Sequence, residues 1–465
     1  MSAAPAASSA PSVSGASYPV SRREFLRHAF LSAGAVSSPA LLSGCLGTSS
    51  IPGGGSAGGG TGQSRLANIG PLQAADANGL SLPAGFSSRV VAVSGEAPVL
   101  GGTYIWHTFP DGGATYATDD GGWIYTSNSE VPNTGLPLLP MLSGGCGALR
   151  FDGSGQVVDA YSILTGTDGN CAGGKTPWQT WLSCEEPQAA ADAPGLTYEC
   201  DPFTPGSQGT ALPALGIFKH EAVAVDPVRK ILYLTEDEGS GRFYRFIPSA
   251  ADWPSGAARP ALQEGALQVL RFASGARGQT LDAAGLSAAM PHAVVWEDVA
   301  QADQPQSAVR DSLGADAPGS TFSGGEGLWY FDGIVYFSTK GDNRIWAYEQ
   351  ASGLLEVIYD FATADNAILS GVDNLVVSEF GDVLVAEDGG DMQVNVILPN
   401  REVIPLVQAS DASGQSELTG PALSPDGTRL YFSAQRNGRS GGPGTGITFE
   451  VQFPFSVCPS GQCPP

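Results

Sequence analysis

The sequence predicts an all-β chain closed into a β-propeller. Three observations carry that expectation. First, Gly (63) and Pro (34) are abundant among 465 residues while only 15% are charged. That profile suits short strands joined by tight turns, whereas long helices need more Lys, Glu, Arg and Leu. Second, from about Leu66 onward short apolar runs alternate with period two between Gly, Asp, Asn and Pro, which is the strand-and-turn signature. Third, one unit recurs: a turn, an aromatic or aliphatic strand, then a small polar residue and a polar or acidic one. Its copies are Trp123–Asn128, Trp181–Glu185, Leu232–Asp237, Val335–Lys340, Val383–Asp388 and Leu430–Gln435.

Most neighbouring copies lie about fifty residues apart, the length of a four-stranded propeller blade. Between Tyr233 and Tyr336 the gap is about twice that, which reads as one blade plus an insertion that includes the polar stretch from Gln301 to Phe322. Six blades are expected, with seven as the alternative and a β-sandwich array as the competing architecture. Long amphipathic helices are absent from the pattern, and only the Ala-rich stretches near 189–193 and 283–289 suggest a helical turn or two.

Ahead of the repeats, Ser21-Arg22-Arg23-Glu24-Phe25-Leu26 fits the twin-arginine export pattern, and a weakly apolar run from Ala29 to Leu42 follows. That run is too short and too rich in Ala, Ser and Gly to span a membrane permanently. Leu42-Ser43-Gly44-Cys45 resembles a bacterial lipobox, in which the Cys is acylated and anchors the mature chain; ordinary cleavage nearby is the alternative. The expected order is a leader over 1–44, a Gly/Ser-rich tether over 45–64, one catalytic propeller over 65–457 and a tail over 458–465. The expected partners are therefore the twin-arginine export machinery and, through Cys45 alone, a membrane. The location is periplasmic or extracellular, and a monomer is expected.

A formal net charge of −24 excludes nucleic acid and anionic lipid surfaces as partners. Seven cysteines in an exported chain meet an oxidising space. Cys458 and Cys463 are spaced to close a small loop, and Cys171 can pair with Cys200, leaving Cys146 and Cys184 unpaired; sequence alone does not decide connectivity.

In a propeller, equivalent strand ends meet at one mouth of the central channel. That expectation gathers Asn128, Cys184, Glu185, Glu186, Glu236, Asp237, Glu387 and Asp388, with His220-Glu221, Glu326 and Asp373-Asn374 opening neighbouring strands. So many carboxylates repel one another unless cations neutralise them, and calcium suits them because it accepts six to eight oxygen ligands. Cys184-Glu185-Glu186 is the sharpest element, because a thiolate beside two carboxylates suits iron or another transition metal; a disulfide at Cys184 is the alternative.

Trp178–Glu186 closely resembles a hallmark of the PhoX-type alkaline phosphatases. The same family resemblance extends to Phe218–Pro227, Leu234–Asp237 with Phe243–Phe246, Gly325–Trp329, Asp373–Leu375, and Leu418–Pro421 before Ser424–Gly427, in order. The resemblance implies a six-bladed propeller that hydrolyses phosphomonoesters outside the cytoplasm, with calcium and an iron centre at one mouth. It implies that Cys184 ligates iron and that the Glu and Asp residues of these motifs, together with His220 and Asn374, bind iron or calcium. Glu326 would serve the reaction as well as the metal. Ser338–Arg344 departs from the Gly-rich stretch of longer members, so the resemblance does not carry the phosphate contacts over; Lys340, Arg344 and Arg242 are the basic residues nearest the motif ends and the candidates to assist there, with a surface role as the alternative for each. Two other functions remain open on the same residues. One is a calcium lactonase using Glu326 and Asp373-Asn374; the other is a lipid-anchored binding propeller in which calcium is structural.

Overall fold

Apolar residues recurring every second position become strands throughout, because strand side chains alternate between the two faces. The computed structural model describes residues 64–132, 143–187, 195–274, 286, 290–410, 416–436, 446–458, 460 and 463. The leader, Cys45, the tether up to residue 63 and most of the Ala-rich stretches lie outside these.

Among the described residues the strands form five antiparallel sheets in a propeller-like arrangement. The first contains Pro110–Ala117, Trp123–Ser129, Gly144–Phe151 and Val157–Thr167. The second runs through Asn170–Lys175, Trp181–Glu185, Thr197–Cys200 and Thr210–Ala211. A nine-stranded sheet then starts at His220–Asp226 and continues through Ile231–Glu236, Phe243–Pro248 and Gly265–Phe272. His292–Asp298 carries it across to Leu354–Asp360, Arg344–Glu349, Ile334–Thr339 and Gly325–Phe331. The last two sheets begin with Val372–Val377 and Leu418–Leu423, and N-terminal strands complete both of them: Leu80–Ser81 pairs with Val403–Ala409, and Ser87–Val93 with Ile447–Gln452. Joining the two ends of the chain in shared sheets closes the arrangement without a free seam.

The strands Pro110–Ala117, Asn170–Lys175, His220–Asp226, Gly325–Phe331, Val372–Val377 and Leu418–Leu423 each pack against the next, and the last packs against the first. They line a central axis. The core lies between sheets, where Leu384 and Val394 meet Phe432 and Phe449, and Leu182 meets Leu234 and Phe246. Each such side chain contributes about 1.5–3 kcal/mol by leaving water.

The expected insertion is more ordered than its polar sequence suggests. It holds the bridging strand and a helix, Gln306–Leu313. Arg310 of that helix donates to both oxygens of the buried Glu236, at 2.8 and 3.0 Å, and so ties the insertion to the propeller. The cysteine pairing differs from expectation in part. Cys458 and Cys463 are bonded, but Cys171 and Cys200 are free thiols, as are Cys146 and Cys184. Among the described residues no helix is long and apolar enough to cross a membrane.

Candidate metal centre

Each axial strand loses register with its neighbour near its start. The breaks fall between Pro110 and Gly113, Asn170 and Gly173, His220 and Val223, Gly325 and Leu328, Val372 and Leu375, and Thr419 and Ala422. Such a bulge re-aims one side chain. The residue after each first paired position is Asp111, Cys171, Glu221, Glu326, Asp373 or Thr419. In five of the six the position after that is Gly or Ala (Gly112, Ala172, Ala222, Gly327 and Gly420), because the backbones converge there; after Asp373 it is Asn374. A Cβ on Gly112 would sit 2.5 Å from the Ala172 Cα, and one on Gly327 would sit 2.5 Å from the Leu375 nitrogen.

The second strand of each unit ends in three consecutive residues with three different jobs, because alternation cannot send neighbours to one place. The penultimate residue reaches the next sheet: Asn128 donates to the Cys171 and Ala172 carbonyls, Thr235 to the Glu326 carbonyl and Ser338 to the Asp373 carbonyl. The last residue accepts from loops. Glu185 takes the Asp168 and Leu196 amides, Glu387 takes those of Ser370 and Gln393, and Glu236 takes Arg242 and Arg310. The next residue is Glu130, Glu186, Asp237, Lys340, Asp388 or Gln435, and contacts at the mouth tie these residues together.

Three groups of side chains are close enough to share an ion. They are Cys171 with Glu186 and Glu221, Asp111 with Glu130 and Glu417, and Glu221 with Glu326 and Asp373; within each, the ligand atoms lie within 4.8 Å of one another. Glu221 belongs to two groups. A basic side chain stands against each: Lys219 Nζ lies 3.6 Å from Glu186, Arg436 Nη1 lies 2.8 Å from Glu417, and Lys340 Nζ lies 2.8 Å from Glu326. Asn374 braces the set, since its amide donates to Asp373 at 2.8 Å and to Glu221 at 3.4 Å while its oxygen accepts from the Gly420 nitrogen.

Of the residues expected at the ring, Glu186, Glu221, Glu326 and Asp373 come together in these groups, and Lys340, Asp237 and Asp388 stand beside them. The others do not. Cys184 lies in the apolar core beside Leu182 and Leu234, with its thiol 3.7 Å from Thr197 Oγ1, and burial pushes it up to about 12. It shares register with Asn128, Thr235 and Ser338, a position that faces the neighbouring sheet. Glu185, Glu236 and Glu387 hold loops instead. His220 donates from Nε2 to the Gly216 carbonyl and stacks on Phe218, and burial lowers its pKa to about 4. Arg344 pairs with Asp360 and Asp342 away from the groups. Asn374 has both ends of its amide engaged, which makes it a brace for the ligands.

Asp111, Glu130, Cys171, Glu417, Lys219 and Arg436 were not singled out from the sequence. A signal for two of them was present. Asp111-Gly112 and Cys171-Ala172 repeat the pattern of Glu221-Ala222 and Glu326-Gly327, an ionisable residue followed by a small one at the start of a strand.

The electrostatics match a site built for cations. Burial raises Asp111, Glu221, Glu326 and Glu417 well above the carboxylate range, and neighbouring carboxylates raise them further. Burial brings Asp373 to about 7 and Glu186 to about 8. The Cys171 thiol is pushed up by burial first and by Glu221 second. A prediction follows for protein stripped of metal. These carboxyls hold protons in the folded state that they release when unfolded, so their contribution is complete below the ordinary values of 3.8 and 4.5 and is lost as pH climbs through about 7 to 8. The melting temperature of chelated protein should therefore fall steadily between about pH 5 and 8, and added calcium should reverse the loss. A melting temperature that rises over that range without metal would contradict this account.

Comparison with known proteins adds a family. The family model described as alkaline phosphatase PhoX matches residues 143–353. No curated sequence matches the chain. Among solved structures, Pseudomonas fluorescens PhoX in complex with vanadate, a transition state analogue, is similar at TM-score 0.63 and 16% identity, covering 84% of this chain and 98% of that one. At that identity the likeness shows the fold. A gluconolactonase from Xanthomonas campestris covers 84% of this chain and 99% of its own at 13% identity and TM-score 0.39, too distant to carry an argument. The axial strands Asn170–Lys175, His220–Asp226 and Gly325–Phe331, which carry Cys171, Glu221 and Glu326, all fall inside the matched region, and over that region the chain is similar to the alkaline phosphatase PhoX family.

Proposed function

We propose that this chain is a metal-dependent phosphatase that hydrolyses phosphomonoesters outside the cytoplasm, reached through its twin-arginine leader. The observation that carries the reading is the meeting of Cys171, Glu186 and Glu221 with Glu326 and Asp373 through the shared Glu221. The propeller has six four-stranded blades in this reading, with the nine-stranded sheet counted as two blades joined by His292–Asp298.

The donor sets fit two kinds of ion. A thiol with two carboxylates suits iron at Cys171, Glu186 and Glu221. All-oxygen sets at Glu221, Glu326 and Asp373, and at Asp111, Glu130 and Glu417, suit calcium. When bound, such ions supply positive charge to phosphoryl oxygens and make a hydroxide available at alkaline pH. The chain's own groups do the rest. Glu221 belongs to both sets and would contribute to holding either ion. Asn374 holds Asp373 and Glu221 in place. Lys340, Lys219 and Arg436 offer positive charge at the mouth for a phosphate dianion, and this local charge outweighs the distant field of an acidic protein.

Protein treated with a chelator should lose hydrolysis of a chromogenic phosphomonoester at alkaline pH, and excess calcium should restore it. Fractionation of an exporting host should recover the activity outside the cytoplasm. Opening of a sugar lactone with calcium alone, without phosphomonoester cleavage, would make the chain a lactonase. Inactivity towards both, with calcium raising only thermal stability, would make it a binding protein.

A further inference from the structure

The mouth positions that follow the second strands are Glu130, Glu186, Asp237, Lys340, Asp388 and Gln435. Four are acids and one is a lysine. Lys340 Nζ lies 2.8 Å from Glu326 Oε1, 3.3 Å from Asp388 Oδ2 and 3.9 Å from Asp237 Oδ2. Its three partners come from its own unit and from the units on either side. The ammonium therefore sits among three carboxylates, as an ion would. We infer that Lys340 is a tethered cation that takes the place of one metal ion between Asp237, Asp388 and Glu326, with Glu326 shared between the lysine and the set it forms with Glu221 and Asp373.

The local backbone holds this arrangement. Lys340 N donates to the Gly324 carbonyl at 2.8 Å, Gly341 N to the Ser323 carbonyl at 3.0 Å, and Gly324 N to the Glu238 carbonyl at 2.9 Å. Gly324 has φ +63°, and a Cβ there would sit 3.1 Å from Asp237 Oδ1 and 3.6 Å from Lys340 Cβ. The segment before Glu326 is thus latched to the residues on both sides of the lysine, and glycine is what lets Asp237 and Lys340 approach it. An ammonium supplies one charge and three donors, enough to bind three carboxylate oxygens. Unlike an ion it cannot be chelated away, so this side of the mouth keeps a positive charge when metal is scarce.

This inference rests on the metal reading above, and the test separates the two. Native protein and variants would be saturated with calcium, desalted, and their calcium per chain measured by elemental analysis, with a thermal melt to verify folding. Lys340→Gln should carry one calcium more than the native chain, because Asp237 and Asp388 are freed to share an ion with Glu326. Lys340→Arg should keep the native count. Asp388→Asn should also keep it, since that carboxylate binds the lysine, whereas Glu186→Gln should lower metal content. Equal counts in native and Lys340→Gln protein, or loss of an ion in Asp388→Asn, would overturn the inference while leaving the metal centre intact. If Lys340→Gln does not fold, the Asp388→Asn arm decides. Absence of retained metal in native protein would overturn the metal reading and this inference together.

Discussion

Under the proposed function, replacing Cys171 with Ser should abolish transition-metal binding at the mouth, while Cys184→Ser should leave metal content unchanged. The two cysteines are thirteen residues apart in sequence and both are fully buried. Their surroundings separate them. The Cys171 sulfur shares a group with Glu186 and Glu221, whereas the Cys184 sulfur faces an apolar cluster and Thr197. Losing a direct ligand should lower metal affinity at least by the tenfold to hundredfold typical of outer-shell changes. Cys184→Ser exchanges a small apolar group for a hydroxyl in a closed core, which should cost about 1–3 kcal/mol of stability without reaching the ions. Elemental analysis of purified variants beside thermal melts reads both effects. Iron lost from Cys184→Ser and retained in Cys171→Ser would return the ligand to the motif that the sequence favours.

Glu221→Gln should have the largest effect of any single carboxylate change, because Glu221 alone belongs to two of the three groups. We expect both ions to be weakened and phosphomonoester turnover to fall by about a hundredfold or more, against roughly tenfold for a ligand serving one ion. The metal-free protein should respond in the opposite direction. Glu221 is buried against Glu326, Asp373, Asp111 and Glu186, all of like charge, so removing its charge relieves repulsion. Chelated Glu221→Gln should melt at a higher temperature than chelated native protein at pH 8, and calcium should stabilise it less. Glu185→Gln is the matched control. Its carboxylate holds the Asp168 and Leu196 amides, so this change should soften a loop with little effect on bound metal. Equal losses from Glu221→Gln and Glu185→Gln would argue that the effect comes through folding and not through ligation.

The repeat that marks the fold also explains why adjacent residues of each motif part company in the structure. Glu236-Asp237 and Glu387-Asp388 look alike as pairs, and Cys184-Glu185-Glu186 looks like a ligand triplet. On a strand, adjacent side chains point to opposite faces, so such a run is divided among different environments. In each run the structure assigns the middle or first acid to a loop and the following residue to the mouth. Cys184 fell between sheets for the same reason. The sequence pattern held no length scale fine enough to show this, because a shift of one residue exchanges the two faces. Arg344 and Lys340 were equally basic and only four residues apart, yet Asp360 and Asp342 capture the first and Glu326 the second.

Period-two hydrophobicity, abundant turn residues and a unit repeating about every fifty residues were enough to specify an all-β, propeller-like chain, because blade formation depends on local alternation and turn chemistry. Clustered acids at equivalent strand ends were enough to point to groups of carboxylates that could hold an ion. Which acid of each pair faces that mouth was decided only by the bulges at Asp111, Cys171, Glu221, Glu326 and Asp373, together with the closure of the axial strands around one axis. Those bulges depend on backbone contacts between strands far apart in sequence, such as Gly112 against Ala172 and Gly327 against Asn374 and Leu375. A ligand set assembled from residues 111 to 417 is a property of that closure, since no local stretch of chain holds more than two of its members.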